Sequence, residues 1–266
     1  MGIGDEIMAT AEARKLKQLN PSAKIIVGDG QREYWSPVFE NNPNISRLAQ
    51  LRQDDEIIWL KNYRGHRPYI DYAKSDMDYR MRYLDYQVEP GDIFVSSEVD
   101  LYGRSSLDTL GIKEGGYVFI EPNVEFGQPK DWGLGRWQQV VDALAGEVEF
   151  IQPVYNQVRR LSGVGLVHTE NFLYACGILA LSAMYAGPEG GLHHASAALG
   201  IPGVVIFGGR IHPRTTGYTF HTNLYVDDPE SPCGMIVACD HCRRCFEQIT
   251  VDRVVEAIQT HLSLGR

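Results

Sequence analysis

Apolar and polar positions alternate along this chain in two textures. Short continuous apolar runs recur at Lys24–Val27, Glu56–Leu60, Asp92–Ser96, Gly116–Ile120, Val148–Gln152, Ala183–Ala186, Gly203–Phe207 and Asn223–Val226. A run that is apolar at successive positions, rather than at every second one, predicts a strand covered on both faces, as in a parallel sheet. Stretches of helical period lie between these runs. Residues 5–19 form one, with Asp5 as the expected N-cap and Pro21 just beyond the end. Trp137–Leu144, Asn171–Leu181 and His194–Leu199 are others. In the last, residues 251–263, Val251, Val254, Val255, Ile258 and Leu262 share one stripe. Strands alternating with helices in this way predict an α/β fold with two open sheets.

The segment Ile112-Lys113-Glu114-Gly115-Gly116 separates two such alternating halves. It gives an expected N-terminal domain over 1–113 and a C-terminal domain over 114–266, with the last helix packing back on the first domain. The stretch 63–86, with tyrosines at 63, 69, 72, 79, 83 and 86 among mixed charges, predicts a helical excursion over the first domain. There is no internal repeat and no low-complexity tract.

Charge narrows the partners. The formal net charge is −9, and a protein that grips a polyanion in general carries a basic field, so general nucleic-acid binding is not expected. No run of about 18 apolar residues is present, so no spanning helix is expected. The N-terminus lacks the charged-then-apolar pattern of a signal region. The five cysteines are an odd number, and Cys233, Cys239, Cys242 and Cys245 crowd into one segment. That usage suits a reducing compartment, and a cytoplasmic location, free or at a membrane face, is expected.

Four segments carry candidate chemistry. Gly2-Ile3-Gly4-Asp5 opens a helix. Glycines there admit a ligand to the backbone, and the acid either caps the helix or accepts a proton from an incoming hydroxyl. Pro188-Glu189-Gly190-Gly191-Leu192-His193-His194 crosses from strand to helix. Its glycines form a phosphate-sized nest at a positive helix end, Glu189 suits a sugar or ribose hydroxyl, and His193 and His194 are donors; a tight turn with a core histidine is the plainer alternative. Lys130 follows a buried strand in the loop 128–137 and is placed to meet a diphosphate, or else is a solvated surface lysine. The cysteine segment, Cys233-x5-Cys239-x2-Cys242-x2-Cys245 with His241 inside, lacks two separated Cys-x-x-Cys hooks. It reads as reduced thiols in a C-terminal loop, with a structural metal as the alternative.

In this order the segments resemble glycosyltransferase family 9, the heptosyltransferases. GIGDEIMAT is similar to that family's Gly-Asp motif before the first helix, EPNVEFGQPKDWGLGRW to its strand, lysine and tryptophan pair, and AGPEGGLHHASAALGIPGVVIFGG to its acid–Gly–His turn, alanine-rich helix and strand. The resemblance implies a GT-B architecture, two Rossmann-like domains facing across a cleft, and a metal-independent, inverting transfer of a sugar from a nucleoside diphosphate sugar to a hydroxyl of a glycan or other acceptor. No cofactor is implied. It matches Asp5 to the general base beside Gly4, Lys130 to the lysine at the diphosphate, and Glu189, Gly190, Gly191 and His194 to the donor-binding turn. The chain departs from the family where Glu189 stands in place of an aspartate and Gly190 in place of Ser or Thr. A sugar-nucleotide epimerase or hydrolase, or a binding protein without turnover, are the competing readings.

Overall fold

A computed structural model describes residues 2–61, 89–124, 128–235, 237 and 239–264. Helix α1 (Ile3–Leu19) leads into β1 (Lys24–Gly28) and β2 (Ile57–Lys61), which pair in parallel. The tyrosine-rich stretch lies outside the described residues. From residue 89 the chain enters α2 (Ser97–Leu110), then runs β3 (Tyr117–Ile120), α3 (Leu134–Ala143), β4 (Glu149–Val154), β5 (Gly165–His168), α4 (Phe172–Ala180), β6 (Met184–Pro188), α5 (Gly191–Ala198), β7 (Gly203–Ile206), α6 (Pro213–Thr216), β8 (Thr222–Leu224), α7 (Asp240–Gln248) and α8 (Val251–Leu264). The last six strands form one parallel sheet in the order β5-β4-β3-β6-β7-β8. No described helix is long and apolar enough to cross a membrane.

The apolar runs form buried strands because alternate residues feed two separate clusters. Tyr117, Phe119, Ile151, Tyr185, Val205 and Phe207 point to one face, and Val118, Ile120, Phe150, Met184, Val204 and Ile206 to the other. The second face is closed by Trp137, Val140 and Val141 of α3 and by Val254, Ala257 and Ile258 of α8. The first face is closed by Leu107 of α2, Ile178 and Leu179 of α4 and Ala195 of α5. That cluster continues without a break into Ile7, Ala9 and Ala13 of α1 and Ile25 and Val27 of β1.

Five elements differ from the sequence reading. Helix α8 packs on α3, β6 and β7 instead of returning to the first half of the chain; its stripe matches the open face of the large sheet. Asp92–Ser96 is not paired as a strand among the described residues. The Asp92 N–H donates to the Thr10 hydroxyl at 2.6 Å, and Arg14 is paired with Asp92, so α1 takes the hydrogen bonds that a strand neighbour would have supplied. Gly91 permits this approach, since a Cβ there would lie 2.2 Å from the Ile7 carbonyl oxygen. Helices α2 and α7 and strand β5 carry thin signals. Only Val99, Gly103 and Leu107 of α2 are buried, and in the edge strand β5 only Val167 is.

Candidate active site

In the large sheet, β3 and β6 are adjacent, and the connections from them leave in opposite directions, β3 toward β4 and β6 toward β7. This is the switch point at which open α/β sheets bind ligands, beyond the carboxyl ends of the strands. Three of the sequence candidates sit there. Lys130 closes a single 3₁₀ turn, Gln128–Lys130, after β3. Glu189 follows β6, its N–H held by the Ile206 carbonyl at 3.1 Å. His194 stands in the first turns of α5, whose N-cap is Gly190.

The Lys130 ammonium is ion-paired with Glu189 Oε2, and His194 Nε2 lies 3.5 Å from Glu189 Oε1. The other ring nitrogen of His194, Nδ1, is 2.8 Å from the Tyr218 hydroxyl, which fixes the imidazole plane. Glu189 is 5% exposed. Burial pushes its carboxyl up, but Lys130 and then His194 overcome that and hold it well below the usual carboxylate range. The carboxylate is therefore charged at neutral pH and the lysine beside it is held in place.

Gly190 is extended, and a Cβ built there would meet nothing within 4 Å. No side chain caps α5, and a helix N-terminus without a side-chain cap is an arrangement that can receive an anion. His193 is a different case from His194. It is fully buried against the rings of His194, Phe207, Tyr218 and His221. Burial, and then His194 and His221, push its pKa far down. Against the sequence reading of His193 as a phosphate donor, the structure shows a fully buried ring, although one of its nitrogens lies within 4.8 Å of a Glu189 carboxylate oxygen and a His194 nitrogen.

Asp5 comes to this place from the other end of the chain. The N-termini of α1 and α5 abut. A Cβ on Gly4 would lie 2.7 Å from His194 Cδ2, and one on Gly191 would lie 3.7 Å from Ile3 Cγ2. Helix α1 begins earlier than its pattern suggests, with Gly2 at the N-cap. Asp5 is thus not the N-cap but the third helical residue, and its Oδ2 accepts the Gly2 N–H at 3.3 Å. The half-buried carboxyl is pushed above the ordinary aspartate value by burial, against the Gly2 hydrogen bond and the nearby charges of His194 and Lys130. An acid near a lysine, an acid–histidine pair and a helix N-terminus that no side chain caps can take a proton on one side and meet negative charge on the other.

Sequence reasoning did not find Tyr218, which orients His194. It ends the segment Ile211–Tyr218 (IHPRTTGY), which resembles the family's proline- and glycine-containing loop after this strand but gives its tyrosine no role. The cysteines lie elsewhere. Cys233 is in the loop after β8, and Cys239, Cys242 and Cys245 are at or within α7.

No family model and no curated protein matches this chain. Solved structures do. A glycosyl transferase family 9 protein from Veillonella parvula is 15% identical with a TM-score of 0.67, the alignment covering 98% of this chain and 95% of that one. The ADP-heptose LPS heptosyltransferase II of E. coli is 15% identical with a TM-score of 0.62, over 99% and 97% of the two chains. The iron-containing dodecameric glycosyltransferase TibC of enterotoxigenic E. coli is 16% identical with a TM-score of 0.69, over 100% and 75%. The two-sheet α/β architecture expected from the sequence is present, and the fold of this chain is that of the family 9 glycosyltransferases.

Proposed function

We propose that the protein is an inverting, metal-independent glycosyltransferase that moves a sugar from a nucleoside diphosphate sugar to an acceptor hydroxyl. The observation that carries this is the meeting of Asp5, from α1, with Lys130, Glu189 and His194, from the switch point of the large sheet. Residues 1–113 form the acceptor side and residues 114–266 the donor side. The donor diphosphate lies against Gly190, Gly191 and the N-terminus of α5, with Lys130 beside it, and Glu189 and His194 bind hydroxyls of the donor. Two of the similar structures bear on the donor class: one is named for ADP-heptose and another was solved with an ADP-heptose.

In the transfer, Asp5 takes the acceptor proton as the acceptor oxygen forms its bond to the anomeric carbon. The bond from that carbon to the diphosphate oxygen breaks on the opposite face, and the electron pair leaves with the nucleoside diphosphate. Lys130 and the helix N-terminus meet the charge that develops on the leaving group. This is the work a divalent ion does in other transferases. The Lys130 ammonium already occupies the cation position on Glu189, which is why the proposal is metal-independent in the chemical step.

A thermal-shift screen of nucleoside diphosphates and their sugars tests the donor assignment, because a ligand that binds only the folded state raises Tm. A diphosphate or its sugar raising Tm, followed by transfer with inverted anomeric configuration, supports the reading. Retained configuration, or turnover that appears only on adding magnesium or manganese, refutes the mechanism. Binding without turnover on any acceptor favours a nucleotide-sugar-binding protein.

A further inference from the structure

The cysteine segment has a geometry its spacing did not reveal. One ligand atom each from Cys233, Cys239, His241 and Cys242 lies within 4.8 Å of all the others. The Cys233 and Cys242 sulfurs are 3.6 Å apart. Two sulfurs sharing a tetrahedral ion at about 2.3 Å each would be separated by about 3.8 Å, and a disulfide would hold them at about 2.0 Å. Cys239 is the N-cap of α7, and the Cys242 N–H points at its sulfur at 3.5 Å. That contact closes a Cys-x-x-Cys turn and stabilises a thiolate.

His241 completes the set. Its Nε2 is committed on the far side, 3.2 Å from Asp228 Oδ1 and 3.0 Å from the Ser231 hydroxyl. Its Nδ1 is buried and has no hydrogen-bond partner. A histidine that gives one N–H to a carboxylate and leaves the other nitrogen bare has the tautomer and orientation of a metal ligand. The ring is also clamped from below. At Gly209 a Cβ would lie 2.3 Å from His241 Cε1 and 2.7 Å from Nδ1, so only glycine fits.

We propose that Cys233, Cys239, Cys242 and Nδ1 of His241 hold one structural transition-metal ion, zinc by their donor set. Three thiolates and an imidazole closing a tetrahedron leave no open position, so the ion takes no part in chemistry. Its role is positional. The loop it ties down is hydrogen-bonded to the segment that follows β7: the Cys233 N–H donates to the Gly209 carbonyl at 2.9 Å and the Gly234 N–H to the Arg210 carbonyl at 3.2 Å. The site stands independently of the transferase reading.

The test is metal analysis of the full chain purified under reducing conditions without chelator, then titration of the stripped, reduced chain with zinc or cobalt(II). Expected are about one ion per chain, a thiolate-to-cobalt charge-transfer band saturating at about one equivalent, and a Tm that falls on stripping and returns with zinc. Cys239→Ser and Cys242→Ser should each lower retained zinc to below about a tenth of an ion per chain after dialysis, while Cys245→Ala and Cys176→Ala keep it. Wild-type chain that binds neither ion overturns the site, as does a native mass two hydrogens short from a Cys233–Cys242 disulfide. Loss of the ion in Cys245→Ala overturns the ligand set, and iron in place of zinc overturns the choice of metal.

Discussion

At the scale of single residues, Asp5 carries the sharpest expectation. Asp5→Asn keeps an oxygen to accept the Gly2 N–H, so stability should move by less than about 1 kcal/mol, the worth of a first-turn charge. As the general base, its loss should lower kcat by roughly 10²–10⁴, measured with donor saturating. Donor affinity should hold or rise, because a negative charge near the diphosphate is removed. Since burial raises the Asp5 pKa above 3.8, the acid limb of the wild-type rate profile should lie above that value, and the limb should vanish from the residual activity of Asp5→Asn. An Asn variant that turns over like wild type would remove Asp5 from the mechanism.

The pair Lys130–Glu189 makes a different prediction, in which the sign with pH matters. The folded-state pKa of Glu189 lies below the ordinary glutamate value of 4.5, so its contribution to stability is present above pH 4.5 and is lost as pH falls through the lower, folded value. Lys130→Met leaves a buried carboxylate with its main partner gone. Denaturant unfolding at pH 7 should then show a loss of about 3–5 kcal/mol. Protonation relieves that loss, so the variant should gain stability between pH 7 and pH 5, where wild type does not. Adding Glu189→Gln should recover most of the deficit. A single variant as stable as wild type at pH 7 would show that the pair is not buried in solution. Of these residues, Asp5 was legible because an acid behind two glycines is a sparse pattern. The pairing of Lys130 with Glu189 was not, because residues in separate loops meet only once β3 and β6 are neighbours.

At the scale of elements, the contact of α1 with α5 sets the base relative to the donor turn. Gly4→Ala places a methyl group 2.7 Å from His194 Cδ2, so one of the two helices must shift. Over-packing of this kind costs about 1–3 kcal/mol, and misplacing a reacting group by about 1 Å costs roughly 10²-fold in rate. The expected result is a variant that remains folded by circular dichroism, binds the donor, and has lost most of its kcat. Gly135→Ala, where a Cβ meets nothing within 4 Å, is the control and should be active. The same scale explains which elements the sequence displayed. Strands β3, β6 and β7 were legible because each is buried on both faces. Helix α2 and strand β5 were not, because one thin buried stripe or a single buried valine leaves almost no periodic signal. Helix α7 was read as loop because its buried face is His241, Cys242, Cys245 and Phe246, a set dominated by residues that do not score as a helical stripe.

At the scale of the whole molecule, the two halves divide at the sheets but not in the core. One cluster of buried side chains runs from Ile7 through Ile25 and Leu107 to Val205 and Phe207. A fragment of residues 1–113 should therefore lack a closed core. Expressed alone, it should bind a dye for exposed apolar surface and show no cooperative thermal transition, and adding the fragment 114–266 should be needed to restore one. A cooperative transition in the isolated first fragment would show that its own contacts suffice.

The abutment of α1 on α5 also has a consequence for biosynthesis. Helix α1 leaves the ribosome well before α5, and finds that packing partner only after the strand that precedes α5 has been made and paired. Until then the start of α1, with Ile3 and Gly4, lacks the α5 surface it packs on, and a growing chain in that condition is exposed to association with its neighbours. Slowing the ribosome in the middle of the message would lengthen that interval, and soluble yield should fall in proportion to the pause, more steeply in cells depleted of the chaperones that hold nascent chains.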